Sequence, residues 1–232
     1  METSCQPTER VALVVPAFNE SQVIGRVIEE LRREVPQAII LVVDDGSSDD
    51  TSSVARQAGA AVIRHAINRG QGAALQTGLD AAERLGADIA ITFDADGQHH
   101  PGDVGRLLAA LSSSHADVAL ASRFLSFNEI PALKRAVLRL GVLFTRLISR
   151  ISITDTHNGL RAIRIRVLPR LRMKEDRMAH ASELLDLLAA ARIKFVEVPC
   201  SIRYSEYSVR KGQRPSAAPR VALEFLFGKL MR

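Results

Sequence analysis

Asp88-Ile-Ala-Ile-Thr-Phe-Asp-Ala-Asp-Gly-Gln-His-His100 is the stretch on which the fold turns. It begins as an apolar, β-branched run without alternation, which is how a strand buried on both faces reads, and then breaks into carboxylates and a glycine. The same change recurs on either side of it. Val11-Ala-Leu-Val-Val15, Ile39-Ile-Leu-Val-Val43, Ala61-Val-Ile63 and Asp117-Val-Ala-Leu-Ala121 read as further buried strands. Between them lies a helix from Glu20 to Glu34, with Val23, Ile24, Val27, Ile28 and Leu31 on one face. Others follow from the Asp49-Asp50-Thr51 cap through Gln57, from Gln71 to Leu85, and from Pro101. Wholly apolar strands alternating with helices predict an α/β fold, a single Rossmann-like and largely parallel sheet covered on both faces. Ligands of such sheets bind beyond the carboxyl ends of the strands. That rule singles out the loops Pro16–Glu20, Asp44–Asp49 and Asp94–Gln98.

The 232 residues are 47% apolar, 25% charged and 4% aromatic, which excludes disordered, collagenous and disulfide-scaffold classes. Cys5 and Cys200 show no metal-ligand spacing and suit a reducing compartment. No run reaches the 18 or so apolar residues of a membrane span, and Met1 to Thr8 lacks a signal-peptide pattern. The expected location is therefore cytoplasmic or at a membrane surface.

The net charge of +5 conceals an asymmetry: residues 1–122 carry 9 basic and 17 acidic side chains, whereas residues 123–232 carry 22 and 9. A basic second half points to phosphates on a lipid, nucleotide or nucleic acid, although a solvated surface has the same composition. After residue 122 the strand–helix rhythm stops. Lys134 to Ile151 reads as a long helix on which Arg135, Arg139, Arg146 and Arg150 fall within about 60° of one another. Leu140, Leu143, Phe144, Leu147, Ile148 and Ile151 are expected opposite them. Such a helix suits an anionic membrane surface, or packing on its own domain with the arginines in water. Val221-Ala-Leu-Glu-Phe-Leu-Phe-Gly-Lys-Leu-Met231 is a second apolar stretch, interfacial or core.

Asp94 and Asp96 concentrate negative charge at the end of a buried strand, where repulsion is costly unless a cation sits between them. A hard divalent ion such as Mg2+ or Mn2+ fits, because it is commonly held by one or two carboxylates plus substrate phosphates. His99 and His100, being adjacent, read as surface or supporting residues rather than as two ligands of one ion. Asp44-Asp45-Gly46-Ser47-Ser48-Asp49 offers carboxylates to base N–H groups or ribose hydroxyls, with helix capping as the plainer use of Ser48 or Asp49. Asn19 is equally an N-cap candidate. The absence of G-x-G-x-x-G after the first strand weakens a dinucleotide-binding dehydrogenase, and the absence of G-x-x-x-x-G-K-[ST] removes a P-loop hydrolase.

Several motifs follow one another in order. They are Val14-Val-Pro-Ala-Phe-Asn-Glu20, Val42-Val-Asp-Asp-Gly-Ser-Ser-Asp49, Asn68-Arg-Gly-Gln-Gly72 and Phe93-Asp-Ala-Asp-Gly-Gln-His99. Ala121-Ser-Arg-Phe124, Asp155-Thr-His-Asn-Gly-Leu-Arg161, and Val198-Pro with Arg203 and Ser208-Val-Arg-Lys-Gly212 come after them. Together, over residues 11–213, they resemble the family 2 glycosyltransferases with the GT-A fold, in particular the dolichol-phosphate mannose synthase-like branch that acts on polyprenyl phosphates. The resemblance implies a GT-A domain over residues 10–213 that includes the basic helix at about 134–151. A disordered tail of residues 1–9 precedes it and an apolar segment of residues 214–232 follows.

The same resemblance assigns roles. Pro16, Phe18 and Glu20 match the first nucleotide-contacting loop, and Val43 and Asp45 the positions at base and ribose. Asp94 and Asp96 match the ligands of metal and diphosphate, with Ala95 between them at the sugar nucleotide and Gln98 as a further metal ligand. Arg123, Arg203 and Lys211 match cations near the donor diphosphate and acceptor phosphate, Arg210 competing with Lys211 for its role. Asp96, Arg123 and Arg203 are thus the candidate catalytic residues, and Arg161 joins the substrate-binding set. Glu183, in His180-Ala-Ser-Glu-Leu-Leu185, falls where relatives carry a glutamate whose part is chemical or structural.

The implied reaction is inverting transfer from a UDP- or GDP-sugar with Mg2+ or Mn2+ as cofactor. A hydroxyl acceptor needs a general base, whereas a lipid phosphate is already anionic and needs cations instead, which the basic second half supplies. Expected partners are the nucleotide-sugar donor, a polyprenyl-phosphate or saccharide acceptor, and a membrane surface or membrane-protein partner, with no nucleic acid. Many relatives continue into transmembrane helices without a counterpart here, so the expectation is a peripheral protein on the cytoplasmic face of a membrane. A receiver-like, Mg2+-binding signalling module accounts for the clustered carboxylates but not for residues 123–232. A nucleic-acid binder accounts for the arginines but not for the acidic first half.

Overall fold

A computed structural model describes residues 9–126, 132–156, 158–177 and 179–203; Arg210, Lys211 and the segment 214–232 lie outside the described residues, as do residues 1–8 of the tail. The chain runs β1 (Val11–Ala17), α1 (Ile24–Glu34), β2 (Ile39–Asp44), α2 (Thr51–Gln57), β3 (Ala61–Arg64), α3 (Gln71–Arg84), β4 (Ile89–Thr92), α4 (Asp103–Ser114) and β5 (Val118–Ser122). It continues with α5 (Ala132–Ser149), β6 (Arg161–Arg164), α6 (His180–Ala190) and β7 (Phe195–Pro199). Seven strands form one sheet in the order β3-β2-β1-β4-β6-β5-β7. All run parallel except β6, which is antiparallel to both of its neighbours.

Side-chain alternation divides the core into two layers. Leu13 and Val15 of β1 meet Ile24, Ile28 and Leu31 of α1 and Leu107 and Leu111 of α4 on one face. Ala12 and Val14 meet Leu75 and Leu79 of α3 and Leu184, Leu185 and Leu188 of α6 on the other. Each fully buried Leu, Ile or Val contributes about 1.5–3 kcal/mol of hydrophobic stabilisation. The anchored strands therefore hold their carboxyl-end loops on a rigid base.

Two expectations change beyond residue 122. The strand–helix rhythm does not stop: β6, α6 and β7 continue the sheet. The strand β6, Arg161-Ala-Ile-Arg164, holds only two apolar residues between two arginines, too few to show as a buried run. Its pairing supplies the missing signal, since Ile91 and Ala119 both lie opposite Ala162. The second change concerns α5. It packs through Val142, Thr145 and Ser149, which are buried, while Leu140, Leu143 and Leu147 are 68%, 53% and 70% exposed. Arg135, Arg139 and Arg146 on the helix and Arg150 just beyond it are exposed as well. The leucines thus lie in water beside the arginines instead of filling a packed face opposite them. No helix among the described residues is long and apolar enough to cross a membrane.

Candidate active site

The loops after β1 and β2 are stitched together by side chains. Asn19, in the left-handed region at φ 54°, donates its N–H to Ser47 Oγ (2.9 Å) and accepts from Ser48 N–H (2.9 Å). It is therefore a bridge between loops and not the helix cap, a position held by Val23. Glu20 N–H donates to Thr51 Oγ1 (2.8 Å) and Ser21 N–H to Asp49 Oδ2 (3.1 Å). Burial works to raise the Asp49 pKa, but hydrogen bonds from Thr51 and Ser21 outweigh it and hold the carboxyl down at about 2. Pro16 and Val43 sit opposite one another in the β1–β2 register and are buried, whereas Phe18 is exposed.

Asp44 and Asp45 divide their duties. Asp44 accepts from Ser47 N–H (2.8 Å) and Ser52 Oγ–H and closes the β2 turn from within. Asp45 reaches the following loop: Oδ1 accepts from Arg69 N–H (2.9 Å) and meets His65 Nδ1 (2.7 Å), while Oδ2 accepts from Gly70 N–H (2.7 Å). A carboxylate has about four lone-pair directions, so among the described residues one on Oδ2 remains for a ligand.

Asp94 and Asp96 follow β4 in contrasting surroundings. Asp94 Oδ1 accepts from Gln71 Nε2 (3.1 Å) and Oδ2 lies 3.0 Å from His99 Nε2. Burial opposes its ionisation, yet His99, Arg161 and His180 together hold its pKa below the ordinary carboxylate range. Asp96 accepts from Gln98 through both backbone N–H (3.0 Å) and side-chain Nε2 (2.7 Å). Its pKa is pushed up, first by burial and then by the charge of Asp94, with Glu20 adding to the repulsion. Ala95 between them is buried. The donor set is two carboxylates and an amide side chain; among the described residues no group of three or more His, Cys, Asp or Glu is placed around a metal. That set fits a hard divalent cation whose remaining ligands are substrate oxygens.

The antiparallel strand β6 pairs Arg161 with Thr92 and so sets a buried cation beside the Asp94 turn. Burial lowers the Arg161 pKa to about 10 against the pull of Asp94 and Asp155. Asp155 also binds Arg123, whose Nε is 2.7 Å from Oδ2, so charges of alternating sign run Asp94, Arg161, Asp155, Arg123. Arg203 is placed differently. Its guanidinium reaches Glu30 on α1 (3.1 Å), while its backbone N–H donates to Gln98 O (2.8 Å) and ties down the Asp96 loop.

Several site residues carry no assigned role in the sequence reading: His65, Gln71, Asp155, Gly159 and His180. A Cβ on Gly159 would stand 2.3 Å from Asp94 Oδ2, so the absence of a side chain there makes room for the carboxylate. Gln71, Asp155 and Gly159 lie in stretches whose motif character was visible, but a motif does not say which side chain meets which. His99 supports Asp94, and His100 accepts from Gly102 N–H (3.1 Å), so the pair does not converge on one point.

The sequence profile of glycosyl transferase family 2 matches residues 12–172. An uncharacterized protein of Methanocaldococcus jannaschii is 37% identical, covering 96% of this chain and 93% of its own length. The UDP-N-acetylglucosamine–dolichyl-phosphate N-acetylglucosaminyltransferase of Methanococcus voltae is 33% identical over 87% of this chain and 89% of that protein. Among solved structures, glucosyl-3-phosphoglycerate synthase of M. tuberculosis superposes with a TM-score of 0.72 over 94% of this chain and 78% of that one. At 21% identity, that likeness speaks for the fold.

Proposed function

The chain belongs to glycosyl transferase family 2 and is a glycosyltransferase; within that family we propose that it moves a sugar from a nucleotide donor to a polyprenyl phosphate, inverting the sugar C1. The Asp94–Asp96 turn carries the reading. Two half-buried carboxylates stand one residue apart at the carboxyl end of β4, and the second is pushed toward protonation by its partial burial and by the charge of the first. That repulsion would be relieved by a divalent cation carrying a diphosphate. Asp94 and Asp96, with Gln98 beside them, would hold Mg2+ or Mn2+, which would supply neutralising charge for the departing nucleoside diphosphate.

The protein's own residues do the rest. Pro16, Phe18, Glu20, Val43 and the remaining lone pair of Asp45 receive the nucleoside, and Ala95 lies at the sugar nucleotide. Arg161 and Arg123, already desolvated, bring the anionic acceptor to the anionic donor, with Arg203 and Lys211 as further phosphate partners. An acceptor phosphate oxygen attacks C1 opposite the diphosphate. The new C1–O bond forms as the old one breaks, and its electron pair leaves with the nucleoside diphosphate. An acceptor already ionised has no proton to give up, so no general base is needed.

The dolichyl-phosphate activity named for the Methanococcus voltae relative supports the acceptor class. So does α5, whose outward leucines and arginines suit peripheral contact with an anionic membrane. Residues 10–213 act in this reading as one transferase domain. The test supplies radiolabelled UDP- and GDP-sugars, Mn2+ or Mg2+, and a short polyprenyl phosphate in detergent. Label entering the organic phase with one donor, and absent with chelator, is expected. Donor binding without transfer to lipid overturns the acceptor, and no binding of any nucleotide sugar overturns the whole reading.

A further inference from the structure

Glu183 lies in the first turn of α6 with its side chain fully buried, and the transfer described above makes no use of it. Its carboxylate accepts hydrogen bonds from the backbone N–H groups of Lys174 (2.9 and 3.1 Å) and Glu175 (2.8 Å). Those donors occupy lone pairs that a base would use, and they fasten the turn at residues 173–177. That turn packs backbone to backbone on the start of α3. Asp176 O accepts from Ala73 N–H (3.1 Å), satisfying one of the donors that a helix N-terminus leaves open. A Cβ on Gly70 would stand 2.3 Å from Asp176 O, and one on Gly72 would stand 2.0 Å from Glu175 O. Only glycine allows so close an approach at these two positions. Between them is Gln71, whose Nε2 donates to Asp94 Oδ1 (3.1 Å).

We propose that Glu183 is a positioning residue for the metal–diphosphate end of the donor site. It holds the 173–177 turn, the turn holds the glycine-flanked start of α3 opposite the anchorage by Asp45, and that start delivers Gln71 to Asp94. The inference rests on the proposed function, because Asp94 matters in this way only if a metal-bound nucleoside diphosphate sits there.

The test is Glu183→Gln in the full chain, which replaces one acceptor oxygen by an NH2 group facing backbone donors. Equilibrium dialysis with Mn2+ and radiolabelled UDP or GDP reads binding, hydrogen exchange reads the amides, and kcat against pH reads chemistry. Nucleotide binding is expected to weaken about 10- to 100-fold, as for other residues that support metal ligands. The amides of Lys174, Glu175 and Ala73 should lose protection together, while the pH profile keeps its shape. Unchanged nucleotide affinity with those amides freed overturns the proposal, since Glu183 then anchors a loop and nothing more. Loss of one limb of the pH profile at unchanged affinity overturns it in favour of proton transfer. Should Glu183→Gln fail to fold, Gln71→Ala interrupts the same relay at its far end, and undiminished binding there is equally fatal. A wild-type chain that binds neither nucleotide with Mn2+ removes the proposed function itself. A wild type that binds, with variants that bind as well, removes only the role of Glu183.

Discussion

The loops after β2 and β4 each place a pair of aspartates at the carboxyl end of a buried strand, and they treat the negative charge in opposite ways. Asp44 is matched by the N–H of Ser47 and the hydroxyl of Ser52, and Asp45 by the amides of Arg69 and Gly70. Asp44 is consumed by the fold, and Asp45 is fixed by it with a single lone pair left over. In the β4 loop, Asp94 is supported by Gln71, His99 and Arg161, but Asp96 is half-buried beside the charge of Asp94 and is pushed toward protonation. Burying a charge is unfavourable unless it is paired. A strained carboxylate beside a supported one therefore marks where a cation belongs, and a carboxylate with a full set of donors marks architecture.

The largest effects come from exchanging the two classes of aspartate. Asp96→Asn should lower transfer by about 100-fold or more, the scale of removing one electrostatic stabiliser from an active site, with Tm unchanged or raised. Asp44→Asn should do the reverse. Leaving a buried donor or acceptor unmatched costs about 1–3 kcal/mol, a fall in Tm of several degrees, with kcat close to wild type. Thermal melts and initial rates on both variants check this. A folded, inactive Asp44→Asn protein, or an unfolded Asp96→Asn protein, breaks the comparison.

An intermediate effect is expected from Gly159→Ala. The added Cβ meets Asp94 Oδ2 at 2.3 Å and must turn the carboxylate away from its place, without touching the β2 loop. The concentration of Mn2+ giving half-maximal rate should rise about 10- to 100-fold, while the unfolding midpoint moves by less than in Asp44→Asn. An unaltered metal requirement would mean that the position of Asp94 is not critical.

The smallest effect tests the architectural side alone. Asp49 has its folded pKa depressed to about 2, below the ordinary carboxylate value, so its contribution to stability is present above the unfolded value. That contribution is lost as the pH falls through the folded value. Melts of wild type and Asp49→Asn should therefore differ above about pH 4 and converge on going down toward pH 2. A gap that persists at the acid end would separate Asp49 from any titrating role.

The first half of the chain was legible because its signals are local. Strands such as Ile39-Ile-Leu-Val-Val43 are apolar without interruption, and each is followed at once by its functional loop. The roles of Asp49 and Asn19 were half visible, since capping was expected of both. Asp49 does accept from the first amide of α2 at Thr51 (3.0 Å) as well as from Ser21, whereas Asn19 stitches loops instead. The second half was less legible for a specific reason. The strand β6 has arginines at both ends, one beside the active site and the other paired with Glu9, so its composition reports two surroundings instead of one strand. The helix α5 has a clear amphipathic pattern, but a pattern does not state which strip meets the protein, and the leucines proved to face outward.

By itself the sequence determined the α/β class, the buried strands of the first half, the three loops at their carboxyl ends and the carboxylate pair Asp94 and Asp96. All of these depend on neighbours within a few residues, where periodicity and spacing carry the physics. Tertiary structure alone decided that β6 runs antiparallel between β4 and β5, which sets Arg161 opposite Thr92. It alone decided that Gln71 and His99 meet Asp94, that Glu183 fastens the turn at Lys174 and Glu175, and that Asp45 belongs to the loop at Arg69 and Gly70. Most of those contacts join residues that are distant in the chain, and their energies depend on burial and direction, which arise only when the sheet is assembled.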